Sequence, residues 1–186
     1  MLGPDEDGSR AVSHGRECAP PWRVAEWFNT PEPLTLAQLR GRVVMVCAFQ
    51  MLCPGCVSEG LPQAQRVAHL FRREDVEVVG LHTVFEHHDA MRPVALRAFL
   101  HEYRITFPVG VDEADGVGLP RTMRAYRMEG TPTTLLIDRQ GYLRRQVLGH
   151  LPDLRLGAEI MALMSEAAAP PDAAGSPDIR MPGGCA

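Results

Sequence analysis

A chain of 186 residues, 45% hydrophobic and 23% charged, has the size and balance of one globular domain, which excludes disorder throughout. The net charge of −4 offers no long-range attraction for nucleic acid or anionic lipid, and the longest apolar run, Val43 to Phe49, is far short of the roughly 18 residues a membrane helix needs. Neither nucleic acid nor membrane is therefore an expected partner, and an acidic start (Met1-Leu-Gly-Pro-Asp-Glu-Asp7) without basic or apolar stretches points to a cytoplasmic location.

Nine of the sixteen prolines fall in residues 1–33 and 170–186, so residues 1–23 and 168–186 read as extended or mobile tails around a domain at 24–167. Leu34 to Leu39 reads as a short helical turn closed by Gly41. Val43 to Phe49 is apolar without alternation, as a strand covered on both faces must be. A helix is predicted from Pro54 to Arg73, kinked at Pro62. Val76 to His82 is a second strand, and Met91 to Tyr103 a second helix with Val94, Ala95, Phe99 and Leu100 inward. Phe107 to Val111 is a short strand and Leu119 to Tyr126 a short helix. Thr133 to Ile137 and Tyr142 to Leu148 form a hairpin across Asp138-Arg-Gln-Gly141. A closing helix runs from Asp153 to Ala167, with Asp153 as its N-cap. This alternation predicts an α/β fold, a mixed sheet with helices on both faces.

The five cysteines are Cys18, Cys47, Cys53, Cys56 and Cys185, an odd number with one close pair, unlike a disulfide-stapled scaffold. Cys53-Pro54-Gly55-Cys56 stands where the first strand meets the first long helix. Two cysteines three apart at a helix start lie within disulfide reach, and free amides and the helix dipole favour a thiolate there. Cys53 is thus the candidate exposed nucleophile, and Cys56, one turn in, the resolving thiol. Pro54 fixes φ at the helix start and lacks an N–H that would be unpaired. A zinc half-site would need two more ligands, and the sequence has no second Cys-x-x-Cys or His-x-x-x-His. A second signal is Gly130-Thr131-Pro132-Thr133-Thr134 leading into Leu135-Leu-Ile137. Proline is tolerated at a strand start, and X-Pro is where a cis peptide is accessible. Such a loop facing the cysteines would leave the Thr131 backbone free to pair with an extended substrate.

With these motifs in place the chain resembles the thioredoxin superfamily, in particular its redoxin branch of TlpA- and ResA-like thiol–disulfide oxidoreductases. The resemblance runs from about Leu34 to Gly149, carried by Leu36-Ala-Gln-Leu-Arg-Gly-Arg-Val-Val44, Cys53-Pro-Gly-Cys56 and Gly130-Thr-Pro-Thr-Thr-Leu-Leu-Ile-Asp138. It implies a thioredoxin-like three-layer fold with an extra helix after the second core strand, around Thr83 to Thr106. It also implies a redox-active Cys53–Cys56 pair, no further cofactor, and support from Pro54, Gly55, Thr131 and Pro132. Three departures stand out. The exported or anchored start usual in the family is not expected here, which argues against a cytochrome-maturation role. Cys47 occupies the position where many thioredoxins bury an acid, and reads as a small buried residue. Leu52 replaces the aromatic residue that usually precedes the first cysteine.

The expected partners are a protein or small-molecule disulfide as substrate and a thioredoxin or glutathione system as reductant. A peroxiredoxin-like peroxidase with Cys53 as the peroxidatic thiol is the alternative, although Gln50 and Val46 stand where that family's Thr and Pro anchors belong. A metal-binding or redox-sensing module is the rival class. Its metal would be zinc or copper held through Cys53, whereas Glu86-His87-His88-Asp89, with His82 nearby, offers ligand types for a metal but reads as a solvated loop. Cys185 reads as a flexible exposed thiol, and Glu59 as a solvated helix residue.

Overall fold

In the computed structural model, which describes residues 11–12, 17–116, 118–166 and 185, four strands precede the first helix. They are β1 (Ala11–Val12), β2 (Glu17–Cys18), β3 (Val24–Phe28) and β4 (Val43–Phe49). A π turn over Cys56–Gly60 leads into α1 (Leu61–Leu70), then β5 (Val76–His82), α2 (Pro93–Glu102) and β6 (Val109–Asp112). Helix α3 (Arg121–Ala125), the hairpin β7 (Thr133–Ile137) and β8 (Tyr142–Leu148), and α4 (Asp153–Ser165) follow. The sheet order is β1-β8-β7-β4-β5-β6-β3, with β2 also on β8. Strands β4, β5 and β6 are parallel neighbours, and β7 runs antiparallel to β4.

All seven residues of β4 and of β5 are buried, so layers cover both faces. Val43, Met45, Cys47 and Phe49 pack beneath Leu61, Ala64 and Val67 of α1, Leu96 and Leu100 of α2, and Leu156, Ile160 and Leu163 of α4. On the opposite face Val44, Val46 and Ala48 meet Leu36, Leu39, Met123 and Tyr126. Each Val, Leu, Ile, Met or Phe side chain buried here contributes about 1.5–3 kcal/mol by leaving water. This is the mixed, three-layer thioredoxin-like arrangement, with α2 as the additional helix after β5.

Several local expectations are corrected. The helix expected from Pro54 to Arg73 ends at Leu70, and its irregularity sits in the π turn just before Pro62. Pro62 has no N–H to return to the preceding turn, and the Leu61 N–H bonds five residues back, to the Cys56 carbonyl. In α2, Leu96 and Leu100 are buried while Val94 is 76% exposed. Val94 lies two residues, about 200°, round the helix from Leu96. Asp153 is not an N-cap: Pro152 holds that position, and the Asp153 carboxylate accepts from the Gln63 amide at 2.7 Å and from Arg66. A strand residue starts α3 instead, where the Asp112 carboxylate accepts the Thr122 and Met123 N–H groups at 2.8 and 2.9 Å. Strand β3 was not expected, and it closes the far edge of the sheet on β6.

The segment expected as an amino-terminal tail is extended where it is described, and it is paired to the sheet. β1 and β2 both hydrogen-bond to β8, Ala19 is buried, and its N–H meets the Gly141 carbonyl at 3.0 Å. The Tyr126 hydroxyl donates to the Pro20 carbonyl at 2.7 Å. Cys185 is not a free thiol: it is joined to Cys18 in a disulfide. No spacing rule could have paired two cysteines 167 residues apart.

Candidate active site

The dithiol stands where β4 gives way to helix. A turn follows Phe49, closed by the Cys53 N–H on the Gln50 carbonyl at 3.2 Å. The Cys53 carbonyl then accepts the Val57 N–H at 3.1 Å, starting the helical run. Two contacts bracket the Cys53 sulfur. The Cys56 N–H donates to Sγ at 3.2 Å, and the Sγ thiol donates to the Thr131 carbonyl at 3.4 Å. Cys53 is half-buried, Pro54 and Leu52 beside it are exposed, and Cys56 is wholly buried. Burial first, and its hydrogen bond with Cys53 second, push the Cys56 thiol well above the ordinary cysteine range. The half-buried Cys53 sulfur therefore faces a backbone donor, while its partner stays protonated in the shielded interior.

The second wall is the loop before β7. The Thr131–Pro132 peptide is cis, the Pro132 carbonyl accepts the Gly149 N–H at 2.8 Å, and the Thr133 hydroxyl closes on the Gly130 carbonyl at 2.7 Å. The Pro132 ring lies against the backbone of the π turn. A Cβ on Gly60 would fall 2.9 Å from Pro132 Cβ and 3.6 Å from Cys47 Sγ. At Gly55 a Cβ would sit in ordinary contact, 3.4 Å from Pro132 Cδ. The structure thus brings together all six residues picked from sequence: Cys53, Pro54, Gly55, Cys56, Thr131 and Pro132. Gly60 was missed, and an isolated glycine inside a helix-forming run was the available signal.

Cys47 forms the floor beneath this contact, fully buried between Gly80 of β5 and Thr134 of β7. Burial, reinforced by negative charge on Cys53, pushes its thiol up to about 12. Glu59 is exposed and lies 3.8 Å from His150. The Gln50 amide is engaged elsewhere, donating to Glu86 at 3.3 Å and accepting the Phe85 N–H at 3.2 Å. His82 is buried against the Phe49 ring, whereas His87 and His88 are exposed, so the three imidazoles do not converge. Among the described residues no three His, Cys, Asp or Glu side chains are grouped as a metal site.

Residues 17–146 match the AhpC/TSA family. Among curated proteins the chain is similar to the thiol-disulfide oxidoreductase ResA of Geobacillus kaustophilus, 24% identical over 114 residues that cover 61% of this chain and 59% of that protein. It is also similar to ResA of Bacillus subtilis, at 26% over 146 residues (78% and 73%), and to the thiol:disulfide interchange protein DsbE of Pseudomonas aeruginosa, at 28% over 116 residues (62% and 56%). The matches to the Geobacillus and Pseudomonas proteins span less than two thirds of those relatives' lengths. Among solved structures, the thioredoxin-like superfamily protein SPOA0173 is 56% identical with a TM-score of 0.81, covering 82% of this chain and 99% of that one. A thiol-disulfide isomerase from Corynebacterium glutamicum is 47% identical with a TM-score of 0.77, covering 80% and 98%.

Proposed function

The chain belongs to the AhpC/TSA family, and we propose that it is a thiol–disulfide oxidoreductase working through Cys53-Pro54-Gly55-Cys56 against the Thr131–Pro132 loop. The observation that carries this reading is the half-buried Cys53 sulfur held between the Cys56 N–H and the Thr131 carbonyl, with a buried second thiol one turn behind.

In the first step the Cys53 thiolate attacks one sulfur of a substrate disulfide. A Cys53–substrate S–S bond forms, the substrate bond breaks, and the departing thiolate takes a proton. The Cys56 N–H stays aimed at the reacting sulfur and stabilises charge on it without reorganisation. In the second step Cys56 loses its proton and its sulfur attacks Cys53 Sγ, releasing the second substrate thiol. Two electrons have then passed to the substrate, and Cys53 and Cys56 are joined. The electron carrier is the sulfur pair itself, so no bound cofactor enters the cycle. The substrate is a protein or small-molecule disulfide, and an external thiol system of the thioredoxin or glutathione class resets the pair. The Thr131 main chain, beside the sulfur, is the edge along which an extended peptide would align. The peroxidase alternative gains no support at its Thr anchor position, where the Gln50 side chain is bonded to Glu86 and Phe85 rather than to the Cys53 sulfur.

The test is reduction of insulin by the purified chain with dithiothreitol as electron source. Cys53→Ser should reduce the rate to the uncatalysed background, and Cys56→Ser should accumulate a mixed disulfide visible by intact-mass spectrometry. Undiminished turnover in Cys53→Ser would rule the mechanism out.

A further inference from the structure

We propose that Cys18–Cys185 is a structural disulfide, a second redox site separate from the dithiol, which latches the amino-terminal strap over the edge of β8. The sheet keeps the two sites apart. Cys18 pairs with Tyr142 at the start of β8, whereas Leu148 at its end pairs with Thr133, next to Pro132 of the dithiol site. Six residue steps along β8 correspond to about 20 Å. Neither Cys18 nor Cys185 can therefore resolve Cys53 in this fold.

The strap needs such a latch. Without β1 and β2, strand β8 would be an open edge, a row of unpaired N–H and C=O groups that invites pairing with another chain. Each of these covering strands is only two residues long, and Glu17 and Cys18 are exposed, so their pairing buries little. The cross-link joins Cys18 to Cys185 with Cα atoms 5.3 Å apart, well within disulfide reach. The Arg40 guanidinium donates to the Cys185 carbonyl at 2.6 Å, tying that end to the body of the fold. Directly after Cys18, the Ala19 N–H reaches the Gly141 carbonyl, so the latch sits where the strap meets the sheet.

The bond forms by exchange with a donor disulfide, of a protein or of glutathione. Each latch thiol loses a proton and one electron, the donor takes up both electrons and becomes two thiols, and Cys18 and Cys185 are joined. Disulfides of this kind persist where such donors operate, so the latch argues for folding in an oxidising compartment rather than the cytoplasmic location expected from sequence. None of this depends on the dithiol being active.

The test uses the full chain equilibrated with oxidised glutathione, alkylated, and peptide-mapped without reduction. The Cys18 and Cys185 peptides should be recovered linked, and should remain linked in glutathione buffers reducing enough to open Cys53–Cys56. In Cys18→Ser/Cys185→Ser, amides of β8 from Tyr142 to Val147 should exchange with deuterium about tenfold faster or more, and Tm should fall by about 10 °C. Insulin reduction should stay within about twofold of the parent rate, which separates this proposal from the dithiol mechanism. Recovery of Cys18 and Cys185 as free thiols, or unchanged β8 exchange in the double variant, would overturn it.

Discussion

At the carboxyl end of β4 the sheet meets two free thiols three residues apart, and at the opposite end it meets two cysteines, 167 residues apart in sequence, joined to each other. The chemistry of the side chain is the same at both ends, and the surroundings differ. Cys53 is half-buried, with a backbone donor on its sulfur and a carbonyl accepting its thiol, while Cys56 is sealed beneath it. These are the means of making a bond and breaking it again. Cys18 lies on an exposed two-residue strand, and what its bond does is close a long loop of chain. Reversible sulfur chemistry comes from local hydrogen bonding and unequal burial, whereas a structural disulfide acts mainly by restricting the unfolded chain.

The largest effect that would sharpen this contrast is at the dithiol. Cys56→Ser should lower steady-state insulin reduction about a thousandfold or more while leaving the first attack intact, so the mixed disulfide accumulates as a mass adduct. At the other end, Cys18→Ser/Cys185→Ser should cost about 2–5 kcal/mol in urea unfolding without changing turnover. A loss of turnover comparable to the loss at the dithiol would break the comparison.

A smaller effect concerns His82, paired with Phe49 at the dithiol end of the sheet. Both of its ring nitrogens are buried without a hydrogen-bond partner, and burial pushes its pKa from 6.5 down to about 4. Because the folded-state value is lowered, the unfolded chain takes up a proton that the folded chain refuses as pH falls below 6.5. Stability is therefore fully present above that pH and is lost progressively down to about pH 4, by about 1.4 kcal/mol per unit. Urea unfolding of His82→Leu at pH 7 and pH 4.5 should show a flatter dependence than the parent, and equal slopes would exclude His82 as its source. The smallest expected change is at Gly60, where an added Cβ would meet Pro132 at 2.9 Å. Gly60→Ala should cost about 1–3 kcal/mol and slow insulin reduction by displacing the proline loop, and wild-type rates would show that the close contact is not needed.

Much of this molecule was legible in its sequence, for physical reasons that vary along the chain. The limits of β4, β5 and β7 matched the apolar and β-branched runs, because buried strands leave little choice of residue. Strand β8, half-buried and polar at its centre, was placed as the partner of β7 across the Asp138–Gly141 turn. Cys53 and Pro132 could be placed together because a Cys-x-x-Cys at a strand–helix junction and a proline at a strand start have few structural uses. In α2 Ala95, Phe99 and Leu100 face the core as expected and Val94 does not, because the run Val94-Ala95-Leu96 offers three adjacent apolar residues and only packing decides which of them points inward. Strand β3 was invisible because it is a short edge strand with a polar residue at its centre, Glu26, and prolines on either side. The disulfide could not be read, since the proximity of Cys18 and Cys185 exists only once β2 lies on β8 and the chain end returns beside Arg40.

The most direct measurement is a thiol-trapping mass-spectrometric titration of all five cysteines across dithiothreitol and glutathione buffers. We expect Cys53 and Cys56 to convert together, in one reversible two-electron transition, while Cys47 stays a free thiol. Failure of a Cys53–Cys56 disulfide to form in any buffer would contradict the dithiol mechanism outright.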